Sequence, residues 1–169
     1  MNKIDPSKCK ILYSSIQEWK LVPAFFTIAQ ADIVIAEALN PGDYLNTGDK
    51  VLRKGEPVII ISMGLAKFLT EKELYAVLCH EYGHILNGDG DNFNGTVLDQ
   101  MSREFEIREY KADDYAVTQV PKNLYIVALL KAVQFIIDST TEVYGKESNA
   151  IALKVLKNQV SRRIDRLLS

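Results

Sequence analysis

The chain is poor in the residues that mark specialised environments. Its 169 residues include only two cysteines, Cys9 and Cys79, too few and too far apart for a disulfide framework. Cys79 lies in an apolar helical stretch, where a buried reduced thiol is expected, and both cysteines fit a reducing compartment. There is no excess of basic charge. Twenty Lys and Arg against 22 Asp and Glu give −2, which argues against a phosphate backbone as partner, so no nucleic acid is expected. Met1 to Lys10 is polar and lacks the apolar centre of a signal peptide. No apolar run reaches the ~20 residues of a membrane span. The closest, Leu124 to Leu130, is interrupted by Lys131 and Gln134 and reads as a buried core helix. The expectation is a cytoplasmic protein with no membrane span. Histidine is scarcest in effect: there are two, and they stand four residues apart.

With 47% hydrophobic and 25% charged residues, the composition is that of one globular domain, here residues 1–169. Such a length buries a contiguous core without staples. Phe25, Ile28, Ile35 and Leu39 recur at roughly helical spacing and predict a helix over Val22 to Leu39, with Pro23 in its first turn. Asn40-Pro41-Gly42 ends it, and Gly42, Gly48 and Gly55 mark a long irregular loop. Pro57 to Ser62 reads as a strand, and Lys10 to Tyr13 as another. A short helix is expected at Leu65 to Leu69. Thr70-Glu71-Lys72-Glu73 is a capping-box pattern that starts a new helix, which runs to Asn87-Gly88, a left-handed stop. A polar loop over Asp89 to Gly95 leads to a helix over Thr96 to Gln119, broken before Pro121. Two further helices are expected at Asn123 to Tyr144 and Glu147 to Leu168, separated by Gly145.

His80-Glu81-Tyr82-Gly83-His84 is an H-E-x-x-H pattern on the capped helix. Residues four apart on a helix differ by about 40° around the axis and about 6 Å along it. His80 and His84 therefore project from one face and can hold one ion through their imidazole nitrogens. Glu81 lies one step round the helix, where it can take a proton from a water activated by that ion and hand it to a leaving amine. An open catalytic zinc site needs a third protein ligand. No histidine remains and Cys79 points off the face, so a carboxylate must supply it. Glu104, Glu106, Glu109, Asp113 and Asp114 are available. Glu109 stands out because Asp113 follows one turn later on the same face, and a metal-bound imidazole normally donates its other N–H to an acceptor such as a carboxylate. Glu109 is read as ligand and Asp113 as the group orienting His80. Glu104, Glu106 and Arg108 read as a solvated face with intrahelical ion pairs.

The stretch from Gly64-Leu65 through His84, followed by Glu109 and Asp113, resembles the gluzincin metallopeptidases of the HtpX and CAAX prenyl protease family. Arg163-Ile164-Asp165-Arg166-Leu167 is similar to that family's closing R-I-x-x-L segment. The resemblance implies that His80, His84 and Glu109 are zinc ligands, Glu81 the catalytic base and Asp113 the partner of a ligand. It also implies that Gly83 is the small residue that lets helices approach closely. Two features depart from the family. Members often span the membrane, and they often carry a downstream histidine that stabilises the oxyanion, which this chain lacks. Arg163 is the first choice for that role, with Arg162 and Tyr144 behind it.

The fold expected is α+β: a mostly helical zincin-like domain with a small β-sheet, an active-site helix bearing the H-E-x-x-H motif and a glutamate helix. The function expected is a zinc-dependent endopeptidase with one zinc per chain, acting on a peptide or protein substrate. Pro57 to Ser62 is read either as an ordinary buried strand or as an edge along which substrate lies. Two alternatives are a metal-stabilised binding or regulatory module with weak or no hydrolysis, and a narrow regulatory peptidase that cleaves one partner protein. The sequence specifies no oligomeric state.

Overall fold

A computed structural model of the chain describes residues 10–14, 24–28, 33–34, 51–52, 57–89, 102–145, 147 and 150–169, with side-chain surroundings from residue 57 onward. Over that extent the chain is mostly helical: α1 (Met63–Phe68), α2 (Glu71–Leu86), α3 (Arg103–Gln119), α4 (Lys122–Tyr144) and α5 (Ala150–Leu168). The strands are β1 (Lys10–Ser14), β2 (Ala24–Ile28), β3 (Ile33–Val34), β4 (Val51–Leu52) and β5 (Pro57–Ser62).

Val58, Ile59, Ile60 and Ile61 of β5 are all buried. An unbroken β-branched run with no alternation is what a strand covered on both faces requires. β1 pairs with β5 in parallel, from Lys10 opposite Val58 to Ser14 opposite Ser62. β2 pairs with its other side antiparallel, from Ala24 opposite Ile61 to Ile28 opposite Pro57. β5 is therefore central, and the reading of Pro57 to Ser62 as a substrate-bearing edge is corrected: both rows of its backbone groups are committed to neighbours. The helix expected over Val22 to Leu39 is also corrected. Phe25-Phe26-Thr27-Ile28 and Ile33-Val34 are aromatic and β-branched, and pairing with β5 and β4 overrides a periodicity that four residues carried weakly. Within the long loop expected after Gly42, Val51–Leu52 pairs with Ile33–Val34. Cys9, Thr96 to Met101 and the polar loop after Asp89 lie outside the described residues.

α2 begins on a complete capping box. The Glu73 amide donates to Thr70 Oγ1 at 3.3 Å, and the Thr70 amide donates to Glu73 Oε2 at 2.8 Å. The second Glu73 oxygen accepts from Lys131 Nζ at 2.7 Å, which ties the start of α2 to α4. From there α2 is buried nearly all round, from Glu73 to His84, as a helix wrapped by other elements must be. Leu74, Leu78 and Cys79 face the core. Cys79 is a free thiol, pushed up to about 12 by burial and so chemically quiet. α4 contributes Tyr125, Ala128, Leu129 and Val133 to the interior. By length and composition alone α4 is also long and apolar enough to cross a membrane. Lys131 and Gln134 thus interrupt its apolar run without lowering it below that threshold.

α2 and α3 approach closely at Gly83. A Cβ there would meet Ala112 Cα at 3.1 Å, Ala112 O at 3.2 Å and Tyr115 Cβ at 3.2 Å. Two of these atoms are backbone and cannot turn aside, so the helices would have to part. Gly83→Ala is expected to destabilise the protein by about 1–3 kcal/mol, as overpacking does, despite alanine's higher helix propensity. Urea denaturation would show this; equal or greater stability would mean that α2 and α3 separate freely.

Candidate metal centre

The close approach at Gly83 brings together three side chains from two helices. His80 and His84 lie on one face of α2, and Glu109 reaches across from α3. His80 Nε2 and His84 Nε2 are 3.1 Å apart. Glu109 Oε2 is 3.3 Å from His80 Nε2, and its Oε1 is 3.1 Å from His84 Nε2. The expected trio is thus assembled, and one ligand atom from each lies within 4.8 Å of the others, so the group can hold a metal ion. Glu104 and Glu106 stand apart: Glu104 takes Arg108 at 2.6 Å one turn on, and Glu106 takes Arg162 at 2.8 Å and the Tyr110 hydroxyl.

Each imidazole also has a carboxylate at its other nitrogen. His80 Nδ1 is 3.0 Å from Asp113 Oδ1, and His84 Nδ1 is 2.9 Å from Asp89 Oδ2. A carboxylate accepts and does not donate, so both Nδ1 atoms carry the hydrogen; each Nε2 then either donates to Glu109, as in an imidazolium, or presents a lone pair, as in the neutral ring. Two lone pairs facing one another at 3.1 Å repel unless a positive charge lies between them, whether a proton or a cation. Donor separations of 3.1–3.3 Å are close to the ~3.3–3.4 Å edge of a tetrahedron with zinc–ligand bonds of about 2.0–2.1 Å. The donor set and its spacing fit a divalent metal.

Asp113 is fully buried and is held from three sides. Arg163 Nε donates to its Oδ2 at 2.8 Å, Arg163 Nη2 donates to its Oδ1 at 2.6 Å, and the Tyr125 hydroxyl donates to Oδ1 as well. Arg163 Nη1 reaches Glu109 Oε2 at 2.9 Å. Burial would raise the Asp113 pKa, but the charge and hydrogen bonds of Arg163 outweigh it and hold the carboxyl at about 2. Burial likewise opposes ionisation of Glu109, and Arg163 and His80 bring it well below the ordinary range. For His80, burial disfavours the imidazolium, yet Glu109 and Asp113 together raise its pKa to about 10. Glu81 is pushed the other way: burial raises it, only partly offset by the two histidines. It has no hydrogen-bond or ion-pair partner among the described residues.

Arg163 lies beside Asp113 and Glu109, and all three of its nitrogens are engaged by these carboxylates. Arg162 pairs with Glu106 near the surface, and Tyr144 is exposed at the end of α4. Two contributors escaped the sequence reading. Tyr125 lies 2.9 Å from His80 Nδ1, and its signal was a lone hydroxyl in the apolar run Leu124 to Leu130. Asp89 looked like the first residue of a polar loop; its signal was its place directly after the glycine that ends α2.

The metal-stripped protein should have a defined pH window of stability. Asp113 is depressed on folding, so its contribution is present above its unfolded value of ~3.9 and is lost as pH falls through about 2. His80 is raised, so its contribution is full below ~6.5 and is lost as pH rises through about 10. Chemical denaturation should therefore show greatest stability between about pH 4 and 6.5, and zinc, which binds neutral imidazole, should move the optimum upward. A metal-stripped protein most stable above pH 8 would contradict this charge pattern.

Residues 50–103 match the family model of peptidase family M48. The matched stretch contains β5, α1 and all of α2 with His80, Glu81 and His84, and it ends before Glu109, Asp113 and Arg163. No curated protein and no solved structure matches the chain. The match supports a metallopeptidase, and the His80–His84–Glu109 group can hold the metal such an enzyme uses.

Proposed function

We propose that the chain is a zinc-dependent endopeptidase with a zincin-like α+β fold, akin to the HtpX and CAAX prenyl protease branch, acting on extended peptide segments. The observation that carries this reading is the donor triangle of His80, His84 and Glu109, with the buried carboxylate of Glu81, without a hydrogen-bond or ion-pair partner among the described residues, on the same helix. Zinc held there would supply Lewis acidity that polarises the scissile carbonyl and makes water acidic enough to be deprotonated near neutral pH. Glu81 takes that proton as water attacks and delivers it to the departing amine nitrogen. Its pKa, raised by burial, brings it closer to the working pH, as proton transfer in both directions needs. His80 and His84 are held in the tautomer that binds metal through Nε2. Asp113 supports the orientation of His80.

On this reading Arg163 is a positioning residue and not the oxyanion donor expected from the sequence. Its guanidinium spans Asp113 and Glu109, so it orients one ligand directly and another through Asp113. A donor for the oxyanion must come from elsewhere in the chain or from the substrate itself.

Two predictions test the reading. Glu81→Gln should keep its zinc, because the residue does not ligate, and should lower turnover of casein or a peptide library by about 100–10,000-fold. Retained zinc with activity within a few-fold of wild type would remove Glu81 from catalysis. If the wild-type protein binds zinc and cleaves neither generic peptides nor a candidate partner, the metal-stabilised binding module is the better description. Separately, Glu109→Ala should reduce zinc affinity by more than the ~10–100-fold typical of losing a hydrogen-bond partner of a ligand. Glu106→Ala should leave affinity unchanged, since Glu106 pairs with Arg162 and Tyr110. Competition with a chromophoric chelator measures both, and the reverse order would mean that the ligand is misassigned by about one turn of α3.

A further inference from the structure

α2 ends in a left-handed turn that involves the same histidine the site uses. Gly88 has φ +67°. Its amide donates to Ile85 O at 3.1 Å, and the next amide, of Asp89, donates to His84 O at 3.0 Å. This pair of bonds is the Schellman closure, with Gly88 in the position that needs positive φ. Asp89 is therefore joined to His84 twice, once through its backbone N–H and again through Oδ2, 2.9 Å from the imidazole Nδ1. Its other oxygen, Oδ1, lies 3.9 Å from Arg108 Nε, and Arg108 is in turn held by Glu104 at 2.6 Å. Arg108 is the neighbour of Glu109 in sequence, so α3 reaches both the ligand triangle and the carboxylate behind His84.

We infer that Asp89 is a positioning residue for the metal ligand His84, and that the turn closing α2 is thereby part of the metal centre. This rests on the zinc reading above and deepens it. The two histidines are supported unequally. Behind His80 stands Asp113, fully buried and clamped by Arg163 and Tyr125. Behind His84 stands Asp89, partly exposed, in the turn that closes α2, with a loose contact to Arg108 among the described residues. Helix ends open locally at lower cost than interiors. When this turn opens, His84 loses its orienting acceptor and the ion loses a fixed ligand, while His80 stays in place. Ion binding and closure of the turn are accordingly coupled, each favouring the other.

The test uses the full chain. Zinc affinity is measured by chelator competition for wild type, Asp89→Ala, Asp89→Asn and Gly88→Ala, and the imidazole N–H signals of the zinc-loaded, 15N-labelled proteins are recorded. Asp89→Ala should bind zinc ~10–100-fold more weakly and lose the His84 Nδ1–H signal while keeping that of His80. Asp89→Asn should recover most of the affinity, because its amide oxygen accepts the same hydrogen bond. Gly88→Ala, strained at positive φ, should weaken zinc binding in the same direction with Asp89 still present. If Asp89→Ala and Asp89→Asn both bind zinc within two-fold of wild type and keep both imidazole signals, Asp89 merely closes the helix and the inference is overturned. A wild-type protein that binds no zinc would overturn the metal reading and this inference with it. Zinc binding in wild type that these substitutions leave unchanged would overturn this inference alone.

Discussion

The ion pair between Arg163 and Asp113 governs how the domain is assembled. A carboxylate with no solvent exposure is tolerated only if its charge and lone pairs are met. Arg163 meets both with two parallel N–H donors from a helix 50 residues away. α5 must therefore dock on α3 in one register. The pairs that flank it repeat that register at the surface: Arg162 on Glu106, and Arg166 on Asp114 with its guanidinium 4.8 Å from the centre of the Tyr110 ring. Exposed pairs of this kind contribute about 0–1 kcal/mol each, so they refine an alignment that the buried pair dictates. An apolar stripe of Leu156, Val160, Ile164 and Leu167 runs along α5 beside Gln159 and Arg163 and packs on the core. The apolar stripe holds this helix on the core, and the buried ion pair fixes its register against α3.

The same pair connects fold to chemistry. Asp113 Oδ1 receives Arg163, Tyr125 and the His80 imidazole, so three helices besides its own converge on one oxygen. α5 supplies the cation, α4 the hydroxyl and α2 the imidazole. With Nδ1 of His80 fixed in this way, Nε2 is left to face Glu109 and His84. Gly83 sets the remaining coordinate, the separation of α2 from α3, because no side chain stands between its backbone and Ala112. The geometry of the donor triangle follows from a glycine contact on one side and a buried ion pair on the other.

What could be read from the sequence was whatever depends on local spacing. The capping box at Thr70, the stop at Gly88 and the shared face of His80 and His84 are consequences of helix geometry within a few residues. Glu109 was accessible for a similar reason, since a carboxylate one turn further along α3 marked it out from Glu104 and Glu106. Interactions across the fold were harder to see. Nothing local shows that Tyr125 would place its hydroxyl on Asp113, or that the cation recognised near the C-terminus would spend every nitrogen on carboxylates. Ala24–Ile28 is the clearest case of long-range control. Its apolar residues fit a helix by period and a strand by shape, and pairing with β5 some 30 residues later settles the matter.

The charge inventory of the site explains why a metal suits it better than protons do. Glu81, Asp89, Glu109 and Asp113 gather around two imidazoles, with Arg163 inside the cluster and Arg108 at its edge. Four carboxylates against two guanidinium groups leave negative charge in excess in a region largely withdrawn from water. Protonated histidines can supply the missing charge, which is why His80 holds its proton far above the usual imidazole range. That solution leaves two hydrogens crowded into the space between the Nε2 atoms. One divalent ion would neutralise the same charge from a single point and could be held by both imidazoles and the Glu109 carboxylate together. Held by His80, His84 and Glu109, such an ion would join α2 to α3, so its binding energy would also be folding energy, directed at the helix contact that Gly83 has already drawn close.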